Sequence, residues 1–347
     1  MNVELPMCLL NWINADNIDW IELISNRSEG AMQLIAKYPY KLNIDSPRMY
    51  YWNNWKHLSE NTSEGAMRFL KNNPNKICWG LLSSNPSERA MCLLEKNPDK
   101  INWNKLSMNS SERAMCLLEN NPDKIDWDNL SSNTSDRAIH LLQKNQNKID
   151  WGNLSDNISE GAMRLLEKNQ DKINWNTLSY NKSKHAMRLL EKNQDKIYWK
   201  GFCWNPLEGA MQLLEKNQDK IDWTFLSINP SAMHLLENNP DKINWDWLSA
   251  NSSAIHLLKK NPDKINWYML SQNPSECAIQ LLKKNQEEIH WSNLSKNPYI
   301  FNYNYIQMKH NCMLFKEDLM KNRLHPRNIS KFRHWKVNGF EFDSDLN

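Results

Sequence analysis

Apolar residues form two short clusters that alternate with polar segments, and this pair of clusters repeats about every 24 residues. The unit from Trp79 to Asn102 reads WGLLSSNPSERAMCLLEKNPDKIN, and a tryptophan marks the same place at positions 79, 103, 127, 151, 175, 199 and 223. A period of this length is typical of solenoids and other repeat arrays, because one unit cannot bury its apolar face alone. About eleven such units run from Trp20 to Asn297.

The first cluster predicts an amphipathic helix, here called the long helix. In the segment NPSE at 85–88, the asparagine can cap the helix, the proline suits the first helical position and the glutamate suits a capping box. Ala90, Met91, Leu93 and Leu94 then share one face, while Cys92 points the opposite way. Asn97 precedes a proline, which pushes it out of the helical region and ends the helix.

The second cluster leaves two alternatives open. Trp103 and Leu106 share a helical face, but Ile101 would lie beside Trp103 only on a strand. A short helix that starts at the tryptophan and is capped by Asn102, or by aspartate in later units, resolves the conflict. A strand, as in leucine-rich repeats, is the alternative.

We therefore predict an all-α solenoid of 22–24-residue two-helix repeats with capping ends. The spacings from Trp223 to Trp245 and on to Trp267 are 22 residues, and the missing pair lies in the first turn of the long helix. The predicted organisation is an N-terminal cap over 1–19, repeats over 20–297 with an aromatic insertion at 45–54, and a helical C-terminal cap with a basic tail over 298–347.

Composition and motifs disfavour catalysis. The chain has only eight glycines and seven cysteines, and it contains no GxGxxG, GxxxxGK[ST], HExxH or GxSxG motif and no CxxC pair. No apolar run reaches membrane-spanning length, and the first residues do not resemble a signal peptide. We expect a soluble intracellular protein that is not an enzyme and needs no cofactor, metal, membrane or small-molecule substrate.

Two repeated residue types are predicted to be structural. The asparagines at 85, 109, 133 and onward, and at 97, 121, 145 and onward, are expected to cap helices or bond backbone groups between repeats. The tryptophans are expected to fill the core between stacked units. These core residues are Trp79, Trp103, Trp127, Trp151, Trp175, Trp199, Trp223, Trp245, Trp267 and Trp291.

Two variable columns are candidates for chemistry. The outward position of the long helix holds Cys92, Cys116 and His140 in successive units, but helices ~8–10 Å apart cannot easily share one zinc ion. On the short helix, the positions two and five after the tryptophan become large in consecutive units. This stripe is the candidate partner-binding surface, with packing between neighbouring units as the alternative, and it comprises Tyr180, Trp204, Phe225, Ile228, Trp247 and Met269.

The wording of the repeat resembles that of largely uncharacterised repeat proteins of giant nucleocytoplasmic DNA viruses of the mimivirus kind. The run from Ala254 to Trp267, AIHLLKKNPDKINW, carries the resemblance, as does the segment from Phe315 to Phe332. It implies an infected-cell cytoplasm or a virion as the setting and supplies no catalytic residue. We expect a protein-interaction scaffold, with a virion structural protein and nucleic-acid binding as alternatives. The last of these rests on the tail from Lys309 to Lys336, which has eight basic and two acidic residues.

Overall fold

The computed structural model describes residues 5–38, 41, 51–318 and 321. It confirms the all-α solenoid, because short and long helices alternate in regular pairs. Twelve repeats are present in the described part of the chain, one more than the sequence suggested. We number them 1 to 12 by their tryptophans, from Trp20 through Trp55 and Trp79 to Trp291.

The short helices open the repeats and begin at or near the tryptophan. In chain order they are α1 (Trp20–Leu23), α3 (Tyr51–Glu60), α5 (Trp79–Ser83), α7 (Trp103–Ser107), α9 (Trp127–Ser131), α11 (Trp151–Asp156), α13 (Trp175–Tyr180), α15 (Trp199–Phe202), α17 (Trp223–Ser227), α19 (Trp245–Ser249), α21 (Trp267–Ser271) and α23 (Trp291–Ser295). No strand is found at these positions, so the leucine-rich-repeat alternative is wrong within the described residues.

The long helices follow in repeats 1 to 11. They are α2 (Glu29–Lys37), α4 (Glu64–Asn72), α6 (Glu88–Glu95), α8 (Glu112–Glu119), α10 (Asp136–Lys144), α12 (Glu160–Lys168), α14 (Lys184–Lys192), α16 (Glu208–Lys216), α18 (Met233–Asn238), α20 (Ile255–Lys260) and α22 (Glu276–Lys284). In the two 22-residue units the long helix has only six residues, as the deletion predicted. A one-turn 3₁₀ segment such as Pro98–Lys100, which was not predicted from the sequence, joins most long helices to the next short helix.

The core lies between the two helix layers of neighbouring repeats. In repeat 3 it consists of Leu82, Ala90, Met91 and Leu94, all fully buried, and Ile101 closes it from the side of the 3₁₀ turn. The same positions are buried around the array. Removal of this apolar area from water is the main stabilising term.

Helix capping differs from the prediction in one respect. Ser87, not Asn85, is the N-cap of α6, and its hydroxyl accepts a hydrogen bond from the Ala90 amide. Asn85 is instead buried between repeats. Its amide group donates to the backbone oxygens of Ser59 and Asn61 in the preceding repeat, and its carbonyl accepts from the Ser87 amide. The asparagines at 85, 109, 133 and onward, here called the first asparagine column, therefore bond backbone groups between repeats, which is one of the two roles predicted for them.

The predicted N-cap of the short helix is confirmed. Asn102 accepts a hydrogen bond from the Lys105 amide, and Asp126 accepts one from the Asn129 amide. A buried serine adds a further inter-repeat bond, because the Ser83 hydroxyl accepts from the Asn102 amide at 3.0 Å. Asn97, in the second asparagine column, donates to the Leu93 carbonyl at the end of the long helix.

The repeat array closes on itself, which was not predicted from the sequence. The Asp19 amide donates to the Ser295 hydroxyl at 2.9 Å, and Asn26 donates to the backbone oxygens of Ser295 and Asn297 at 3.0 Å. The same hydrogen bonds, such as those made by Asn85 and by the Asn102 amide, join neighbouring repeats elsewhere in the array. Repeat 1 therefore stands next to repeat 12 as its successor, and Lys296 forms an ion pair with Glu22 across the same junction.

Closure corrects the prediction that the terminal segments cap an open solenoid. Repeat 12 has no long helix; the 3₁₀ turn Pro298–Ile300 follows its short helix instead. The 3₁₀ turn that leads into repeat 1 is Ala15–Asn17, and the amide of Leu10 donates to the Ile300 carbonyl at 2.9 Å. The segment directly before repeat 1 and the segment directly after the short helix of repeat 12 thus contribute to one junction between repeats.

Residues Leu9–Ile300 form one compact unit, and the described parts of Met1–Cys8 and Phe301–Asn347 belong to a second. The second unit contains helix α24 (Tyr305–Asp318) and strand β2 (Phe301–Tyr303). It also contains the first two residues of strand β1 (Met7–Leu9), which pairs with β2 in a two-stranded sheet. Of the predicted insertion, residues 51–54 open α3, and 45–50 lie outside the described residues, as does most of the basic tail. Among the helices described, none combines the length and apolarity needed to cross a bilayer.

Two glycines predict opposite responses to alanine. A Cβ at Gly161 in α12 would lie 2.6 Å from the Cγ2 of Ile139, whose branched side chain is buried in α10, whereas a Cβ at Gly80 in α5 would meet nothing closer than 3.8 Å. Gly161→Ala should therefore destabilise by about 1–3 kcal/mol through overpacking. Gly80→Ala should stabilise by about 0.5–1 kcal/mol, because alanine favours the helix. Chemical denaturation of both variants checks this, and equal signs would contradict it.

Candidate functional site: an aromatic surface on the short helices

Four of the six residues of the predicted stripe lie on the short helices of repeats 7 to 11, and Trp204 and Ile228 lie just after the ends of α15 and α17. Tyr180 and Trp204 are exposed, at 43% and 39% of their surface. Phe225, Ile228, Trp247 and Met269 are half-buried. Both alternatives drawn from the sequence therefore hold in part, because the side chains pack on one another and still leave apolar area open to solvent.

Three rings form the centre of this surface, and we call them the aromatic cluster: Trp204, Phe225 and Trp247. The Trp204 centroid lies 5.7 Å from that of Phe225 and 6.4 Å from that of Trp247, and Phe225 and Trp247 are also 6.4 Å apart. Such tilted contacts suit the quadrupoles of the rings and hold them rigidly. The cluster spans repeats 8, 9 and 10.

A pair of tyrosines extends the surface on the side of repeat 7. The rings of Tyr180 and Tyr198 are 6.0 Å apart. A Cβ at residue 201 would lie 2.5 Å from the Cζ of Tyr180, so glycine at this position lets the ring lie directly against the backbone of α15. Burial, and then the neighbouring Tyr198 hydroxyl, raise the pKa of Tyr180, which stays uncharged near neutral pH.

Repeat 8 departs from the consensus where this surface is densest. Tyr198 stands at the N-cap of α15 and Leu207 at the N-cap of α16, and neither supplies a side-chain cap. Cys203 occupies the place of the buried serine that joins neighbouring repeats. Each lost cap costs about 1 kcal/mol, and local rules are most often broken where function demands other residues.

Three residues of this surface were not predicted from the sequence. Tyr198 and Tyr268 are exposed, at 38% and 53%, and the Tyr268 ring contacts His290 at 4.6 Å. The ammonium group of Lys200 lies 5.0 Å from the Phe225 centroid. These residues occupy the positions directly before and after the tryptophan. Within repeats 7 to 11 these two positions are aromatic or basic only at Tyr198, Lys200 and Tyr268, in repeats 8 and 11, where the stripe also has large residues. This coincidence is the signal that could have found them.

The tryptophan column lies elsewhere than predicted. All ten tryptophans are half-buried rather than enclosed, because alanine, methionine, leucine and isoleucine already fill the core. In seven repeats a lysine of the next 3₁₀ turn lies over the indole, 4.5–4.8 Å from its centroid. The half-buried residues are Trp79, Trp103, Trp127, Trp151, Trp175, Trp199, Trp223, Trp245, Trp267 and Trp291.

These stacked lysines are aligned along the array, an arrangement that could favour nucleic acid. An acidic residue precedes most of them, as Asp123 precedes Lys124 and Asp195 precedes Lys196. The indole faces that bases would need are covered by the ammonium groups. The column is therefore close to neutral and offers neither the field nor the free rings that single-strand binding requires.

The outward column of the long helices does not converge on a metal. Cys116 and His140 are exposed and Cys92 is half-buried, and the described residues hold no group of three or more His, Cys, Asp or Glu side chains that could bind one. Cys203 is a fully buried thiol, and burial raises its pKa to about 11. It is therefore poorly suited to act as a nucleophile at neutral pH.

No protein-family model matches the chain, and neither a curated protein nor a solved structure is significantly similar to it.

Proposed function

We propose that this chain is a non-catalytic scaffold for protein–protein interaction, and that a partner polypeptide docks on the aromatic surface of repeats 7 to 11. The observation that supports it is the coincidence in repeat 8 of exposed aromatic residues with lost caps. Tryptophan and tyrosine are enriched among residues that dominate binding energy. The resemblance of the repeat to giant-virus proteins supports an infected cell as the setting of the proposed role.

The surface favours a partner of defined chemistry. The aromatic cluster offers apolar area for one or two large apolar side chains. Lys200 lies at its edge with its charge turned to Phe225, and the described residues place no carboxylate in an ion pair with it. We propose a peptide segment with apolar anchors followed by an acidic residue that pairs with Lys200.

The test uses variants that restore the consensus and should therefore fold. Trp204→Ser and Trp247→Asn introduce residues found at the same positions in repeats 5 and 6, where Ser132 and Asn153 stand. Peptides selected from a displayed random library on the full chain should bind Trp204→Ser at least about tenfold more weakly, since an aromatic anchor contributes about 2 kcal/mol or more. Affinity is measured by fluorescence anisotropy.

Met108→Ser is the matched control, because Met108 occupies the same position in repeat 4 and is also 39% exposed. It should change affinity less than about twofold. Equal losses of peptide affinity in Trp204→Ser and Met108→Ser, or a library from which no binding peptide is selected, would contradict the proposal. Binding that disappears with nuclease treatment of a lysate and falls steeply with salt would favour nucleic acid instead. A defined copy number in purified particles, unaffected by Trp204→Ser, would favour the virion structural role.

A further inference from the structure

We infer that the junction between the long helices of repeats 2 and 3 is a binding site for a small tetrahedral dianion, either orthophosphate or the phosphate group of a small phosphomonoester. The site is a cavity of about 150 Å³ between α4 and α6. It lies apart from the aromatic surface, and the inference does not depend on the proposed function. Six side chains line it, namely Met67, Lys71, Arg89, Cys92, Leu93 and Lys96.

The chemistry of the lining selects an anion. Lys71, Arg89 and Lys96 provide three cations, and Met67 and Leu93 provide an apolar floor. Lys71 and Lys96 have no ion pair in the described part of the chain, while Arg89 is paired with Glu64. A cavity of this size can hold a molecule as large as benzene, so a tetrahedral oxyanion and its first ester carbon fit.

The next two junctions show what this one lacks. Arg113, the counterpart of Arg89 in repeat 4, is paired with both Glu88 and Glu95, and its Nη1 donates to the Cys92 sulfur at 3.2 Å. Arg137 in repeat 5 repeats the arrangement with Glu112, Glu119 and the Cys116 sulfur. At both junctions two carboxylates neutralise one guanidinium.

At the junction of repeats 2 and 3 the second carboxylate is replaced. Lys71 stands where Glu95 and Glu119 stand one and two repeats later. Arg89 therefore keeps one carboxylate partner, Glu64, and shares the cavity with two further cations, Lys71 and Lys96. Like charges held together in this way destabilise the free protein, and a bound dianion, with about −1.5 to −2 charges at pH 7, would relieve the repulsion.

Guanidinium and ammonium groups in a partly enclosed cavity are the usual ligands of phosphate. Arginine supplies paired N–H donors and lysine supplies a mobile point charge. The Cys92 thiol faces the same cavity and also contacts Arg113, so its reactivity reports on occupancy without being required for binding. The Cys116 sulfur accepts from Arg137 as the Cys92 sulfur does from Arg113, but Cys116 does not line the cavity that holds the three cations. Its reactivity therefore serves as an internal reference.

The experiment measures binding of inorganic phosphate and of glycerol 3-phosphate to the full chain by isothermal titration calorimetry. One saturable site is expected for at least one of them, and Lys71→Glu should weaken it at least about tenfold, because it restores the carboxylate of the neighbouring junctions and reverses a charge in the cavity. Lys283→Glu is the control: Lys283 holds the same position in repeat 11, away from this cavity, and its change should be below about twofold.

Thiol modification gives a second readout with a dianionic aromatic disulfide reagent. Cys92 should react faster than Cys116, and saturating phosphate should slow Cys92 at least about fivefold while leaving Cys116 within about twofold. Buried Cys203 should remain unmodified. Stronger binding of glycerol 3-phosphate than of phosphate would identify the ester as the better ligand. No saturable binding of either, or equal effects of Lys71→Glu and Lys283→Glu, would overturn the inference.

Discussion

Asn26→Ala will destabilise the protein by about 2–4 kcal/mol, although residue 26 belongs to the first repeat of the chain. Asn26 is 1% exposed, and its amide group donates to the Ser295 and Asn297 carbonyls while its oxygen accepts from the Ser28 amide. Alanine leaves these buried groups without partners. In an open solenoid the same residue would face solvent at the end of the array, and its replacement would change stability by less than about 0.5 kcal/mol.

The matched control is Asn133→Ala in the middle of the array. Asn133 makes the same bonds to Ser107, Asn109 and Ser135, so a closed array predicts similar losses for the two variants. Chemical denaturation gives the loss, and hydrogen exchange of the Asp19 amide, which is bonded to Ser295, reports whether the junction opens locally. A loss for Asn133→Ala with none for Asn26→Ala would show that the array is open.

Closure could have been predicted from particular residues. Terminal repeats of an open solenoid must replace apolar or joining residues with a polar outer face. In this chain the first repeat keeps Asn26, whose side chain bonds to a preceding repeat, and the last keeps Ser295, whose hydroxyl accepts from a following repeat. Such residues at both ends indicate that each end has a neighbour. The departures from the consensus near the ends predicted caps, but the retained joining residues were the more informative signal.

The helices were predictable because each has a local signal. The apolar arc of Ala90, Met91 and Leu94 and the cap at Asn102 depend only on residues a few positions apart. The N-cap of the long helix was misplaced by two residues, since Asn85 and Ser87 are both good caps and the choice depends on the preceding repeat. Its carbonyls at Ser59 and Asn61 bind the Asn85 side chain and leave the cap to Ser87.

The candidate site was only partly predictable, for a related reason. The stripe from Tyr180 to Met269 follows from counting two and five residues beyond each tryptophan, but exposure depends on what neighbouring repeats place against it. The cation–π contact that covers Trp103 comes from Lys124, which is 21 residues away. To predict contacts at that separation, one must know the curvature of the array and the spacing of its repeats. The repeat period in the sequence does not give either quantity.

A closed array also bears on the proposed docking surface. End repeats of an open solenoid fray, and local opening reduces the order of any surface near them. With repeat 12 joined to repeat 1, repeat 12 has a neighbour on both sides, and repeat 11, at the edge of the aromatic surface, does not lie next to a free end of the array. The aromatic cluster is therefore held in place before binding, and the partner loses less free energy to ordering the site.

Asn133→Asp is expected to be more damaging than Asn133→Ala, with a loss of about 3–5 kcal/mol at pH 7, because a carboxylate would face the Ser107 and Asn109 carbonyl oxygens in a fully buried site. Burial and these oxygens raise the pKa of the introduced carboxyl in the folded protein above its unfolded value of about 3.9. The folded state then binds the proton more tightly. The stability of the variant should be closest to that of the wild type near pH 4. It should fall below the wild-type value as the pH rises towards the pKa of the carboxyl in the folded protein, and above that pKa the difference is constant.

Thermal denaturation at a series of pH values from about 4 to about 8 measures this dependence, because the series starts near the unfolded carboxyl pKa and extends well above it. The control is Asn102→Asp, an identical substitution at the exposed cap of α7, where Asp126 and Asp150 already serve in the following repeats. It should change stability by less than about 0.5 kcal/mol at any of these pH values. A loss for Asn133→Asp that is independent of pH would mean that the carboxyl reaches solvent, and that the asparagine column is not the sealed joint between repeats that the hydrogen bonds describe.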